Sequence, residues 1–179
     1  MARYAALLRG INVGGRNKVR MADLRALLGG LGYTDTATLL QSGNAVFSAD
    51  GADPRAIGAA IEGALADELG LAVAVVVRSA ADLQRVVGAV PFAVRDPAKC
   101  AVAFLDSPVD RERLAALDSA AYAPEELVPG EREVYLYFPD GLGRAKLTPL
   151  LDRYLPAPVT VRNWNTTTRL LELARGAPA

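Results

Sequence analysis

Ala37-Thr38-Leu39-Leu40-Gln41-Ser42-Gly43-Asn44-Ala45-Val46-Phe47-Ser48 is the stretch that decides the fold. Two short apolar runs, 37–40 and 45–48, flank Gln41-Ser42-Gly43-Asn44, whose amides, hydroxyl and glycine are the composition of a tight turn. The stretch therefore predicts a hairpin, and its neighbours make that hairpin decisive. Upstream, Tyr4 to Leu8 reads as a buried strand. Met21, Leu24, Leu27, Leu28 and Leu31 then recur at helical spacing until Gly32 stops the helix. Downstream, Asp53-Pro54 joins a cap residue to proline at the first helical position. Ile57, Ile61, Leu65 and Leu69 give that helix its buried stripe, and the β-branched run Leu71 to Val77 predicts a central strand. A hairpin between two helices, with a strand beyond each, spells βαββαβ, the ferredoxin-like split βαβ order.

The order recurs in the second half. Ser79-Ala80-Ala81-Asp82 has capping-box character and opens a linking helix with Leu83, Val86, Val87 and Val90, after which Pro91 and Pro97 bracket the passage onward. Cys100 to Leu105 predicts a strand, Asp110 to Leu117 a short helix, and Glu126 to Val128 with Glu133 to Phe138 a hairpin around Pro129-Gly130. Lys146 to Leu155 predicts a helix that must start near Ala145, so that Pro149 falls in its first turn. Val159 to Arg162 completes the set as a strand, and Asn165 is expected to cap a final helix. The expected architecture is an α+β chain, a tandem duplication of ferredoxin-like βαββαβ units. The halves are 1–78 and 99–179, the second including the terminal helix, with 79–98 as the linking helix.

The chain has 179 residues, 51% of them hydrophobic, enough to bury a real core. Twenty cations balance twenty acids, which excludes a polycation that coats nucleic acid indiscriminately. There is no histidine, so the usual metal ligand and neutral-pH general base are missing. The single cysteine, Cys100, cannot form an internal disulfide and reads as a buried inert thiol. Asp23, Asp140, Asp152 and Glu172 show no metal-ligand spacing, and no metal or cofactor is assigned. No signal-peptide pattern and no membrane-length apolar run is present, so the expectation is a cytoplasmic protein without a membrane partner.

The loop Leu8-Arg9-Gly10-Ile11-Asn12-Val13-Gly14-Gly15-Arg16-Asn17-Lys18 has no acidic residue; the next along is Asp23. A turn needs a glycine or two, but not Arg9, Asn12, Arg16, Asn17, Lys18 and Arg20 as well. That density of donors before a helix N-terminus favours an anion site over a merely solvated loop, with Gly14-Gly15 expected to curl into a nest of N–H groups. Neither G-x-x-x-x-G-K-[ST] nor G-x-G-x-x-G spacing is present. Sheet order 4-1-3-2 puts this loop beside the hairpin, adding Gln41, Ser42 and Asn44 as candidates, although Ser42 and Gly43 are first of all turn residues. In the second half, Pro139 to Lys146 and Arg162-Asn163-Trp164-Asn165 share the opposite end, adding Lys146, Arg162 and Asn163. Trp164 reads as a buried anchor, with ring stacking as its second reading. If the two decorated ends face one another, they form one cleft.

Leu7 to Gly15, Asn17-Lys18 with Met21, Gln41 to Asn44 and Arg162-Asn163-Trp164-Asn165-Thr166 together resemble an uncharacterised bacterial family, domain of unknown function 1697, over nearly the whole chain. The resemblance implies an α/β protein with ferredoxin-like elements in the bacterial cytoplasm, and no activity. Gly143-Arg144-Ala145-Lys146 departs from the family, which carries serine before the lysine. The expected function is binding of a small anionic ligand, phosphorylated or nucleotide-like. Arg9, Lys18 and Arg162 would neutralise it; Asn12, Asn17, Gln41, Asn44 and Asn163 would orient it. The second reading is single-stranded RNA or DNA binding, for which Tyr135 and Tyr137 are the only same-face aromatic pair. The third is an oligomerisation protein pairing through edge strands. No oligomeric state follows from the sequence.

Overall fold

The computed structural model describes residues 1–51, 53–156 and 158–176. The chain divides into two compact units, Met1–Gln84 with Arg169–Ala179, and Arg85–Thr168. In the first unit the elements run β1 (Ala2–Leu8), α1 (Met21–Gly30), β2 (Thr34–Leu39), β3 (Asn44–Ala49), α2 (Pro54–Leu69) and β4 (Val75–Ser79), followed by α3 (Ala80–Gly88). The second runs β5 (Cys100–Leu105), α4 (Arg111–Ala115), β6 (Glu126–Pro129), β7 (Glu133–Tyr137), α5 (Leu151–Tyr154) and β8 (Val159–Asn163), followed by α6 (Trp164–Ala174). Helix α3 from Arg85 onward counts with the second unit, and α6 from Arg169 onward with the first. The two antiparallel sheets have orders β2-β3-β1-β4 and β6-β7-β5-β8, the same order twice. The protein is a tandem pair of ferredoxin-like units.

In the first unit, alternation along the strands builds the core. Tyr4, Ala6, Leu8, Phe47, Val75 and Val77 meet Leu24, Leu27 and Leu28 of α1 and Ile57, Ile61 and Leu65 of α2. The intervening strand residues Ala5, Leu7, Val46 and Val76 are buried as well. Sheets buried on both faces read as continuous apolar runs, as these strands do. Helix α1 ends in a Schellman motif: Gly32 is left-handed at φ +82°, its N–H bonds Gly29 O, and Tyr33 N bonds Leu28 O. The second unit repeats the scheme with Ala101, Ala103, Val134, Leu136, Phe138, Leu114, Leu147 and Leu151.

The duplication is written in residues as well as in element order. Val75-Val76-Val77-Arg78-Ser79 forms β4 and Val159-Thr160-Val161-Arg162-Asn163 forms β8. Both arginines are buried, Arg78 at 0% and Arg162 at 8% exposure. In each, Nη1 donates to the carbonyl of the preceding valine, Val77 O at 2.9 Å and Val161 O at 3.0 Å. Each strand then passes directly into a helix through a capping side chain. Ser79 Oγ accepts from Asp82 N while the Asp82 carboxylate accepts from Ser79 N, the expected capping box; Asn163 Oδ1 accepts from Thr166 N at 2.8 Å.

Four local expectations are corrected. The strand expected at Leu71–Val77 is Val75–Ser79, because β1 ends at Leu8 and Gly10, at φ +65°, turns the chain away; residues 71–73 then have no strand to pair with. The helix expected at Lys146–Leu155 is a 3-10 turn at Thr148–Leu150 leading into the four-residue α5, with Pro149 in the first turn. The final helix begins at Trp164, and its cap is Asn163, not Asn165. Asp53 precedes α2 but makes no side-chain cap bond.

Candidate functional site

The acid-free loop is a built structure. Val13 and Arg16 form a β-bridge, closed by Arg16 N donating to Val13 O, with Gly14 at φ +58° and Gly15 at φ +76° between them. Two consecutive left-handed residues are what a type I′ hairpin turn requires, and glycine supplies them without steric cost. Gly14-Gly15 therefore forms a two-residue turn, and the expected nest is not made.

The loop and the β2–β3 hairpin form one surface, as the strand order requires. Asn12, left-handed at φ +55°, is the clasp. Its Nδ2 donates to Val19 O at 2.9 Å and Gln41 O at 2.7 Å, and its Oδ1 accepts from Val19 N at 2.9 Å. Asn17 Nδ2 donates to Gly10 O, and Asn12 N to Asn17 O, closing the base of the loop. Ile11 is buried and seats on Gly43: a Cβ there would lie 2.8 Å from Ile11 Cδ1 and 2.9 Å from Leu8 Cβ. Asn44, wholly buried, donates to Leu39 O and Ser42 Oγ, both at 3.0 Å, and holds the hairpin turn. Arg9 N joins Ala74 O beside β4.

Between loop and hairpin lies a hollow of about 540 Å³ lined by Asn12, Gly15, Lys18, Arg20, Asp23 and Gln41. It opens at the N-terminal end of α1, where backbone N–H groups point outward. Lys18 and Arg20 are exposed cations. Asp23 lies opposite: Arg20 Nε and Nη2 donate to its two carboxylate oxygens, each at 2.8 Å. That hydrogen-bonded pair lowers the Asp23 pKa and raises that of Arg20. Thus the hollow carries one cation engaged by a carboxylate and a second, Lys18, beside the Gln41 segment.

The second-unit candidates are placed differently. Backbone N–H groups of Lys146 and Leu147 donate to the Glu125 carboxylate at 2.9–3.1 Å, so the loop read as phosphate-like holds the chain's own anion. The Lys146 side chain is exposed. Arg162 Nη1 bonds Thr160 Oγ1 at 2.7 Å, and burial pushes its guanidinium down to about 10, still charged at neutral pH. Asn163 is the helix cap described above, and Trp164 is buried at the start of α6. Of the aromatic pair, Tyr135 is interior: its hydroxyl donates to Val86 O at 2.8 Å, and burial raises it to about 12. Its ring is not exposed for stacking.

Tyr137 lines a second hollow, of about 420 Å³, with Phe92, Arg95, Asp96, Lys99 and Glu126. Apart from Tyr137, these residues carry no motif. The signal was the proline-bracketed passage 91–97, an aromatic, a cation and an acid between elements where a plain linker needs none. Among the described residues, no group of His, Cys, Asp and Glu is arranged to hold a metal, and no helix is long and apolar enough to cross a membrane.

The clasped loop and hairpin are the part of the chain where its motifs and its geometry coincide, and a family model described as "Protein of unknown function (DUF1697)" matches residues 1–135, which contain both. The chain belongs to the DUF1697 family. The matched region ends before Arg162–Thr166. A solved structure, described as that of the conserved bacterial protein SP0830 from Streptococcus pneumoniae, is similar over 97% of this chain and 98% of its own, at 25% identity and a TM-score of 0.75. The similarity to that solved structure therefore extends through both units. No curated protein matches the chain.

Proposed function

We propose that the hollow between residues 12–20 and Gln41 binds a small anionic ligand, phosphorylated or nucleotide-like. The observation that carries this reading is the clasp. Asn12 makes two hydrogen bonds to Val19, which close the cationic loop, and one to Gln41 O, which ties it to the hairpin, so Lys18, Arg20, Gly15 and Gln41 border one preformed hollow at a helix N-terminus. Walls held in place without a ligand lower the ordering cost of binding. Lys18 serves as a point charge for the anion, and the first-turn N–H groups of α1 add their dipole. Asn12, Asn17 and Asn44 frame the site, and Gly43 provides the seat of Ile11 on which the frame rests.

Asp23 makes the proposal testable in both directions. Calorimetric titration with inorganic phosphate and with AMP at low ionic strength is expected to show binding. Lys18→Ala should weaken it about fivefold, and Asp23→Asn, which removes a carboxylate and releases Arg20, should tighten it by a similar factor. The absence of binding by the intact chain, or equal affinities in the two variants, would refute the reading.

A further inference from the structure

We propose that the 420 Å³ hollow of the second unit is a separate binding site, for a free aromatic α-amino acid held as a zwitterion. Its apolar wall is a pair of rings, Phe92 and Tyr137, with centroids 6.4 Å apart and planes at 58°. Both rings are half-buried, unlike Tyr135, two residues earlier on the same sheet face, which is interior with its hydroxyl bonded. Cys100, Tyr137 and Glu126 are partners across β5, β7 and β6, so they form one row on that face. Cys100 closes the row as a buried thiol. Burial pushes that thiol up, and the charges of Asp96 and Glu126 push it further, as expected with both carboxylates close to this end of the row.

The rim decides the ligand's charge. Asp96 is committed within its own turn: its carboxylate accepts from Ala98 N at 3.0 Å and lies 4.0 Å from Lys99 Nζ. That pair neutralises itself. Among the described residues, Arg95 and Glu126 are the remaining charges lining the hollow, and neither side chain has a partner. One cation and one carboxylate beside an aromatic wall complement a carboxylate, an ammonium and a ring in one small molecule. Arg suits the carboxylate by its forked geometry, Glu126 accepts from the ammonium, and the ring packs edge-to-face or offset against Tyr137 and Phe92. The volume falls within the range of small-ligand pockets. Nothing in this site involves the loop at residues 9–20.

The test is calorimetric titration of the full chain with L-phenylalanine, phenethylamine and 3-phenylpropanoate. L-Phenylalanine should bind more tightly than either singly charged analogue. Arg95→Gln and Glu126→Gln, both exposed and therefore harmless to the fold, should each weaken it about threefold, and together about tenfold. Phe92→Leu, which keeps an apolar side chain but removes a ring, should weaken all three ligands alike. The proposal is overturned if L-phenylalanine gives no binding at millimolar concentration. It is equally overturned if the analogues bind as well as the zwitterion, or if the Arg95 and Glu126 variants retain full affinity.

Discussion

Gly43 shows how one atom can couple two motifs. At φ +82° with Ile11 and Leu8 within 2.9 Å of where a Cβ would stand, it is both a left-handed turn residue and a seat. Gly43→Ala should cost roughly 2–4 kcal/mol, from overpacking added to left-handed strain. Gly14→Ala, at φ +58° with nothing within 4 Å, should cost only the backbone part, about 1 kcal/mol. Urea midpoints of the two variants measure the difference; equal losses would mean that the Ile11 seat contributes nothing. The turn character of Gly43 was legible in Gln41-Ser42-Gly43-Asn44. Its second role was not, because the clash partner lies some thirty residues away along the chain. Leu40, left-handed at φ +61° and 60% exposed, has no structural explanation in this turn.

At the scale of elements, the candidate polar residues divide between framing and availability. Asn12, Asn44 and Asn163 have their amides engaged in a clasp, a turn and a cap, whereas Lys18 and Gln41 border open space. Asn163→Ala should therefore destabilise the protein by about 1 kcal/mol as a lost helix cap, and Ser79→Ala in the equivalent position by a similar amount. Thermal unfolding would test this; unequal losses would break the equivalence of α3 and α6. Glu125 belongs to the same scale. Its carboxylate takes the N–H groups of Lys146 and Leu147, so Glu125→Ala should cost roughly 1–3 kcal/mol through unsatisfied donors. A cationic glycine-containing loop in a sequence signals an anion, but does not say whether that anion is a ligand or another part of the chain.

For the whole molecule, the repeated Val-x-Val-Arg strand is the mark of duplication, and it makes a paired prediction. Arg78→Ala and Arg162→Ala should each lose roughly 2–4 kcal/mol, since each leaves a large cavity and an unsatisfied valine carbonyl. Denaturant titration of the two variants should give comparable losses. Arg3 has a different reach: its guanidinium bonds Asp35 O, Ser48 Oγ and Leu173 O, tying β2, β3 and the end of α6 to β1. Arg3→Ala should loosen residues 169–174 selectively, seen as faster amide exchange there than in α1. Uniform exchange would show that Arg3 does not hold that segment.

The sequence by itself determined the βαββαβ order in both halves, the adjacency of the 9–18 loop to the hairpin, and the capping box at Ser79. These follow from local periodicity, turn chemistry and the handedness of crossovers, all of which act over a few residues or a few elements. Only the tertiary structure decided that Asn12 is a clasp, that Gly14-Gly15 is a turn, that Glu125 occupies the second loop, and that Phe92 and Tyr137 share a hollow. Each of these depends on which donor meets which acceptor, or which ring meets which ring, across 3 to 45 positions of chain. Hydrogen bonds and ring contacts are decided at ångström range, whereas the sequence pattern specifies only the face and the end of an element on which a residue lies.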